Sequence, residues 1–306
     1  MRNPQEEGRL GTSSSDFLHV LHCQAVGADF APALLQGTFD ESKALKFWQL
    51  ASACYNPPSG GYVHEDHGHV SGSQRLWEVI VDEPSTNTRV IGCVSAGVVE
   101  VSFRGTVSED SGGQRNPANW TTNLDFEATP LSGEVTAGEA GEGESVQVCR
   151  GFQAAYLAVR PRLLAWLREK GKGAGTGPEL HLAGHSLGGA LATLAAVHLS
   201  GIGWRVKAVV TFGSPRVGPF SFQSLYARRG LCACTARFAN KRDPVPMVPP
   251  EKWGFVHVVP EYGLGDARFL PSTASHSIML GATSYFQTLR QASLREPASP
   301  AGAVAR

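Results

Sequence analysis

Apolar residues recur along this chain with two periods, and the points where one gives way to the other outline the fold. ESKALKFWQLASACY sets Ala44, Phe47, Leu50, Ala51 and Cys54 three or four residues apart, the spacing of one helical face. Three β-rich runs follow: LWEVIVD from Leu76, TRVIGCVS from Thr88 and GVVEVSF from Gly97. Short turns between such runs predict an antiparallel meander entering a larger sheet. The helical period returns in GFQAAYLAVRPRLLAWLREK, with Phe152, Ala155, Tyr156 and Val159 on one face and Pro161 expected to kink or divide the helix. From residue 179 strands and helices alternate: ELHLA, a small-residue helix from Ser186, RVKAVVTF, a helical stretch near Phe220, TARFAN, GFVHVV and a last helix, SIMLGATSYFQTLRQ. Alternation implies right-handed crossovers. The expected class is α/β, a mostly parallel central sheet with an antiparallel N-terminal meander and helices on both faces.

Stretches without a period set the expected boundaries. Residues 1–40 read as a partly disordered N-terminal extension, 41–291 as one folded domain, and 292–306, rich in Pro, Ala and Ser, as a disordered tail. Within the domain, the Gly- and Glu-rich residues 129–147 read as an exposed insertion, and the polar segment after Thr106 suits a lid or an oxyanion loop.

Composition narrows the partners. With 27 basic and 27 acidic residues the chain has no net charge, so nothing points to nucleic acid or an anionic membrane surface. No run approaches the roughly eighteen apolar residues of a membrane-spanning helix. The first residues are polar and partly acidic where a cleavable signal peptide would be basic and then apolar, so the expected location leans cytoplasmic. Six cysteines at irregular spacing read as free thiols in a chain of this size, and the Cys232/Cys234 pair has no second pair at zinc spacing. The cluster from His64 to His69 reads as a solvated loop. No metal and no organic cofactor is expected.

The candidate chemistry lies at Gly184-His185-Ser186-Leu187-Gly188, between an apolar strand and a small-residue helix. A serine on so sharp a turn needs neighbours without a Cβ two residues away on either side, and Gly184 and Gly188 fill those places. Ser186 is therefore the candidate nucleophile. The helix it starts directs unpaired amides at the site, so the N–H of Leu187 is a candidate oxyanion donor. A second donor is expected from the loop after GVVEVSF, with the amide and hydroxyl of Thr106 as candidates.

In sites of this kind the acid and then the histidine follow the nucleophile along the chain. Four acidic residues lie between Ser186 and the last histidine, and of these Asp243 directly follows TARFAN and opens Asp243-Pro244-Val245-Pro246. Its plainer role is an Asx turn before proline. Two histidines follow Asp243. His257 sits inside an alternating strand pattern, whereas His276 sits in a loop before the last helix, free to reach Ser186. His276 is the candidate base, Asp243 the group that orients it, and the reaction attack on an ester carbonyl.

Phe103-Arg104-Gly105-Thr106, Asn119-Trp120 with Asp125, Gly151-Phe152, GHSLGGALA, TFGSPRVG and NKRDPVPMVPP followed by GFVHVVPEYG together resemble the lipase class 3 family of α/β-hydrolases from about residue 50 to 290. The resemblance implies an α/β-hydrolase fold, the triad positions for Ser186, Asp243 and His276, and the oxyanion positions for Thr106 and Leu187. It also implies a lid near residues 107–126, where Trp120, Leu124 and Phe126 are the main apolar residues, with core packing as their plainer role. Family members commonly carry His where this chain has Cys149. The implied activity is hydrolysis of lipid esters, acylglycerols first, at a lipid–water interface if the lid opens there. A phospholipase A1 or a feruloyl-type esterase would use the same triad, and the rivals outside hydrolysis are a lipase-like binding protein without turnover and an acyltransferase.

Overall fold

The computed structural model describes residues 41–55, 77–106, 125–132, 145–171, 178–265, 273–276, 284–285 and 287–289. The expected N-terminal extension, the C-terminal tail, the cluster from His64 to His69 and residues 107–124 lie outside them.

Helix α1 (Glu41–Ala53) leads to the meander β1 (Glu78–Glu83), β2 (Thr88–Ser95) and β3 (Val98–Phe103). A small ribbon, β4 (Ala128–Pro130) and β5 (Gln147–Cys149), precedes α2 (Arg150–Lys170). The alternating part comprises β6 (Glu179–His185), α3 (Leu187–Gly201), β7 (Arg205–Phe212), β8 (Gly218–Pro219), α4 (Phe220–Arg228), β9 (Thr235–Asn240), β10 (Phe255–Val256) and β11 (Tyr262–Leu264). Among the described residues, seven strands form the central sheet in the order β1-β2-β3-β6-β7-β9-β11. The β1–β2 and β2–β3 pairs are antiparallel, and every later neighbour is parallel.

Period two along the strands builds two cores. Leu180, Leu182 and Val209 face one side with Phe152, Tyr156 and Val159 of α2 and the small-residue α3. Ala183, Ala208, Val210 and Phe212 face the other with Phe47, Leu50 and Ala51 of α1 and with Tyr285 and Leu289. Helices therefore cover both faces. Register then places the site, because Phe103 pairs with Gly184, His185 with Phe212, and Phe212 with Phe238. The carboxyl ends of β3, β6, β7 and β9 lie side by side, where sheets of this kind hold ligands and reactive groups.

Four expectations change. Pro161 does not divide α2, which is one continuous element from Arg150 to Lys170. Pro161 is exposed, and the carbonyl it leaves without a donor, that of Leu157, lies on a partly exposed turn that solvent can serve. GFVHVV does not join the central sheet: only Phe255–Val256 forms strand, paired with β8 in a separate ribbon. The edge position belongs to Tyr262–Leu264, parallel to β9. The insertion at 129–147 is not wholly exposed: near its ends Leu131 and Val146 enter the core beside exposed neighbours. Cys232 is disulfide-bonded, while Cys54, Cys93, Cys149 and Cys234 carry free thiols. Burial pushes the Cys54 thiol up to about 12 and those of Cys149 and Cys234 to about 11, which leaves all three protonated and inert.

Among the described residues no helix is long and apolar enough to cross a membrane.

The core carries a titratable group with consequences for stability. His198 of α3 is buried against Tyr156, ring centroids 5.0 Å apart, and neither ring nitrogen has a hydrogen-bond partner among the described residues. Burial first, then the charges of Arg160 and Arg229, push its pKa down to about 4. An unfolded chain takes up that proton near pH 6.5, so stability is full above about pH 6.5 and is lost as pH falls toward about 4. The gap corresponds to about 3 kcal/mol. His198→Leu should flatten the fall in unfolding free energy between about pH 6.5 and 4 by a comparable amount, read from urea unfolding at each pH. Identical acid slopes in parent and variant would remove His198 as the cause.

Candidate active site

At the end of β6 the backbone turns so sharply that Ser186 has φ 59° and ψ −132°. A Cβ on Gly184 would stand 2.1 Å from the carbonyl oxygen of Gly188, and one on Gly188 would stand 2.0 Å from that of Phe103. Either contact is far inside van der Waals distance, so both positions require glycine. Two backbone bonds hold the turn, Ser186 N–H to Phe212 O and Gly189 N–H to Ser186 O, each 2.9 Å. Ser186 occupies the N-cap of α3, where a serine hydroxyl ordinarily accepts from a helix amide, yet its side chain makes no capping bond. The hydroxyl is left for another partner.

That partner is His276. Its Nε2 is 2.8 Å from Ser186 Oγ, and its Nδ1 is 2.8 Å from Asp243 Oδ2. A carboxylate only accepts, so Nδ1 carries the hydrogen and Nε2 is free to accept the serine proton. All three residues are buried. Asp243 does make the Asx turn, through Oδ1 and the N–H of Val245 at 2.8 Å, while Oδ2 faces the imidazole. The Asx turn and the imidazole contact use different oxygens of one carboxylate.

The loop after Asp243 is pinned from behind. Arg216 of TFGSPRVG donates to the carbonyls of Met247 and, at 3.0 Å, Pro249. His257 Nε2 lies 2.8 Å from Pro246 O, and Gln223 donates to the carbonyl of His257 at 2.8 Å. Burial, reinforced by Arg237, holds the His257 pKa well below its ordinary value, so it is a neutral donor engaged away from Ser186.

Three residues beside the site had no clear mark in the sequence. The Tyr285 hydroxyl donates to Asp243 Oδ2 at 2.7 Å and accepts from Asn240 N–H at 2.9 Å. Burial and the Asp243 charge hold its pKa well above the ordinary range, so it remains a donor. Gly213, at the end of β7 with φ +60°, lies where a Cβ would be 2.7 Å from Asp243 Oδ2 and 3.1 Å from His276 Nδ1. The glycine in TFGSPRVG was its only signal. Tyr55, in the turn after α1, reaches His185.

For oxyanion binding, Leu187 is the first residue of α3, so its amide belongs to the turn whose N–H groups lack intrahelical partners. Thr106 follows Gly105, whose Cβ, if present, would stand 2.9 Å from Ser186 Cβ, so the chain passes against Ser186 just before Thr106. Phe126 is partly buried. It packs edge-on against Phe152, centroids 6.1 Å apart, and lines a cleft of about 560 Å³ with Trp253 and Phe255. Trp120 and Leu124 lie outside the described residues. Cys149 donates its thiol hydrogen to Asp125 O at 3.2 Å.

The model of one protein family, Lipase (class 3), matches residues 100–253. A secreted mono- and diacylglycerol lipase 1 from Fusarium solani is 31% identical over 236 residues, 74% of this chain and 64% of the relative. A secreted mono- and diacylglycerol lipase A from Penicillium cyclopium is 38% identical over 112 residues, 37% of this chain and 35% of the relative. The chain thus spans about a third to two thirds of these curated relatives. The crystal structure of a mono- and diacylglycerol lipase from Aspergillus oryzae superposes with a TM-score of 0.57 at 25% identity, over 74% of this chain and 81% of that one. The expected α/β-hydrolase fold is the fold of these neighbours. Relatives named as secreted give no support to the cytoplasmic leaning.

Proposed function

Because this chain belongs to the class 3 lipase family, we propose that it hydrolyses carboxylic esters of lipids, acylglycerols first, with Ser186 as nucleophile, His276 as general acid–base and Asp243 as its orienting carboxylate. The observation that carries the reading is the continuous hydrogen-bonded path from Ser186 Oγ through both nitrogens of His276 to Asp243 Oδ2. The mono- and diacylglycerol lipases among the relatives support acylglycerols as the first substrates to test, with two phospholipases A1 from Oryza sativa, 32% and 31% identical, as the reason to include phospholipids.

In this mechanism Ser186 Oγ attacks the ester carbon as its proton passes to His276 Nε2. The imidazolium is stabilised by Asp243, and the new oxyanion is bound by the amide of Leu187 and by Thr106. Collapse breaks the ester bond, and His276 Nε2–H protonates the leaving alcohol. Water then enters and gives a proton to His276 Nε2 as its oxygen bonds to the acyl carbon; collapse breaks the bond to Ser186 Oγ, which takes that proton back from Nε2 as the fatty acid leaves. General acid–base transfer of this kind contributes on the order of 10²–10⁴-fold, and one oxyanion donor about 10²–10³-fold.

The test presents monoacyl-, diacyl- and triacylglycerol emulsions and phosphatidylcholine to the protein and quantifies released fatty acid, alongside labelling with a long-chain fluorophosphonate. Release from acylglycerols with adduct formation on the peptide carrying Ser186 is the expected result. Preferential release from phosphatidylcholine would move the assignment to a phospholipase A1. A folded protein that neither turns over nor labels would be a binding protein, and ester formation in place of free acid when an alcohol is added would make it an acyltransferase.

A further inference from the structure

One residue before the nucleophile, the imidazole of His185 is buried and its ring lies against that of His276, centroids 4.6 Å apart and planes 31° from parallel. Its Nε2 is 2.7 Å from the backbone carbonyl oxygen of His276, and its Nδ1 is 2.7 Å from the hydroxyl of Tyr55. The carbonyl can only accept, so Nε2 carries the hydrogen. Burial holds the ring neutral, which leaves Nδ1 as an acceptor for the Tyr55 O–H. One tautomer is thereby fixed from both sides.

This arrangement answers a mechanical need. Ser186 stands on an elbow braced by β3 and β7, and Asp243 follows β9 on a pinned loop, but His276 stands on a short helical turn, Thr273–His276, outside the central sheet. Holding its ring therefore falls to contacts across the fold. Asp243 fixes one edge of that ring, and His185 supplies both a hydrogen bond to the backbone that carries it and a flat surface beneath it. Tyr55, whose hydroxyl also packs against Gly105, joins the turn after α1 to the same contact.

We propose that His185, fixed by Tyr55, is a positioning residue that holds His276 in line with Ser186 through its bond to the His276 carbonyl and its ring contact. This rests on the Ser186 mechanism proposed above. His185 transfers no proton, since both its nitrogens are occupied; it acts through the placement of His276. A misplacement of about 1 Å in a reacting geometry costs on the order of 10²-fold in rate.

The test measures kcat and KM separately on p-nitrophenyl butyrate for the full chain and for His185→Phe, His185→Gln, Tyr55→Phe and Ser186→Ala. Phenylalanine keeps the flat ring and removes both hydrogen bonds, while the Gln amide can donate to the His276 carbonyl and accept from Tyr55. His185→Phe should lose about 10- to 100-fold in kcat with KM within about twofold. Gln should recover several-fold over Phe, and Tyr55→Phe should lose several-fold in kcat. A kcat for His185→Phe within twofold of the parent, with Ser186→Ala inactive, overturns the positioning role and leaves the mechanism standing. Equal losses in Gln and Phe overturn it as well, since the hydrogen bond would then contribute nothing. Turnover in Ser186→Ala would instead overturn the mechanism itself. Should the Phe variant not fold, parental kcat in both Gln and Tyr55→Phe overturns the positioning role.

Discussion

His276→Ala is expected to lower kcat by about 10⁴- to 10⁶-fold while KM changes little, because the imidazole acts on protons in flight rather than on bound ester. The geometry makes the expectation specific. His276 is the histidine whose Nε2 reaches Ser186 Oγ, and the nearest rival along the sequence, His257, is committed to Pro246 O. Asp243→Asn should lose almost as much by a different route. An amide could present an N–H to Nδ1, favour the wrong tautomer and leave Nε2 carrying a hydrogen where it must accept one. The double variant should be scarcely worse than either single one, as residues acting as a unit do not add. Stopped assays with p-nitrophenyl butyrate, with Tm recorded to exclude unfolding, would check all three. Activity within tenfold of the parent in folded His276→Ala would mean that another group takes the proton, and an additive double variant would mean that the two side chains act separately.

Gly188→Ala should cost about 3 kcal/mol or more of stability, seen as a fall in Tm of about 10 °C. The added methyl would meet the carbonyl oxygen of Phe103 at 2.0 Å and the carbonyl carbon of Arg104 at 2.9 Å. These are backbone atoms at the end of a strand paired on both sides, so neither can swing away as a side-chain tip would. Relief has to come from moving α3 off β3. Since Ser186 stands at the N-terminal end of that helix, the shift would also open its contact with His276, and residual folded protein should show a reduced kcat. Differential scanning calorimetry with the same ester assay reads both. A Tm within 2 °C of the parent would mean that the elbow relaxes without strain and that its glycines are not required for space.

Where the deciding interaction was local, the sequence was legible. Gly184 and Gly188 flank Ser186 within a five-residue pattern, and the clash they avoid is between atoms of that same turn and the adjacent strand. The strands TRVIGCVS and RVKAVVTF were readable to the residue because alternation reflects two buried faces, and β2 and β7 have those bounds. Asp243 and His276 were reachable by order and elimination, since few acids and histidines follow Ser186. Tyr285 was not, because a tyrosine within an apolar helical pattern looks like core until the helix is docked and its hydroxyl meets Asp243. Tyr55 and His185 lie 130 positions apart and share no pattern that a linear reading could join. For Phe126 the sequence left lid contact and core packing side by side, and only the docked contact with Phe152 shows the packing.

The sequence by itself determined the periodicity of the elements, the elbow and the order of Ser186, Asp243 and His276 along the chain, because these depend on backbone sterics, on which face of a segment is apolar and on residue order. Tertiary structure alone decided the strand neighbours, the edge strand Tyr262–Leu264 in place of GFVHVV, and the unbroken passage of α2 through Pro161. It also decided which hydroxyl and which carbonyl hold each member of the site. Those outcomes turn on distances between atoms far apart in the chain, and such distances exist only once the sheet has brought the ends of β3, β6, β7 and β9 together.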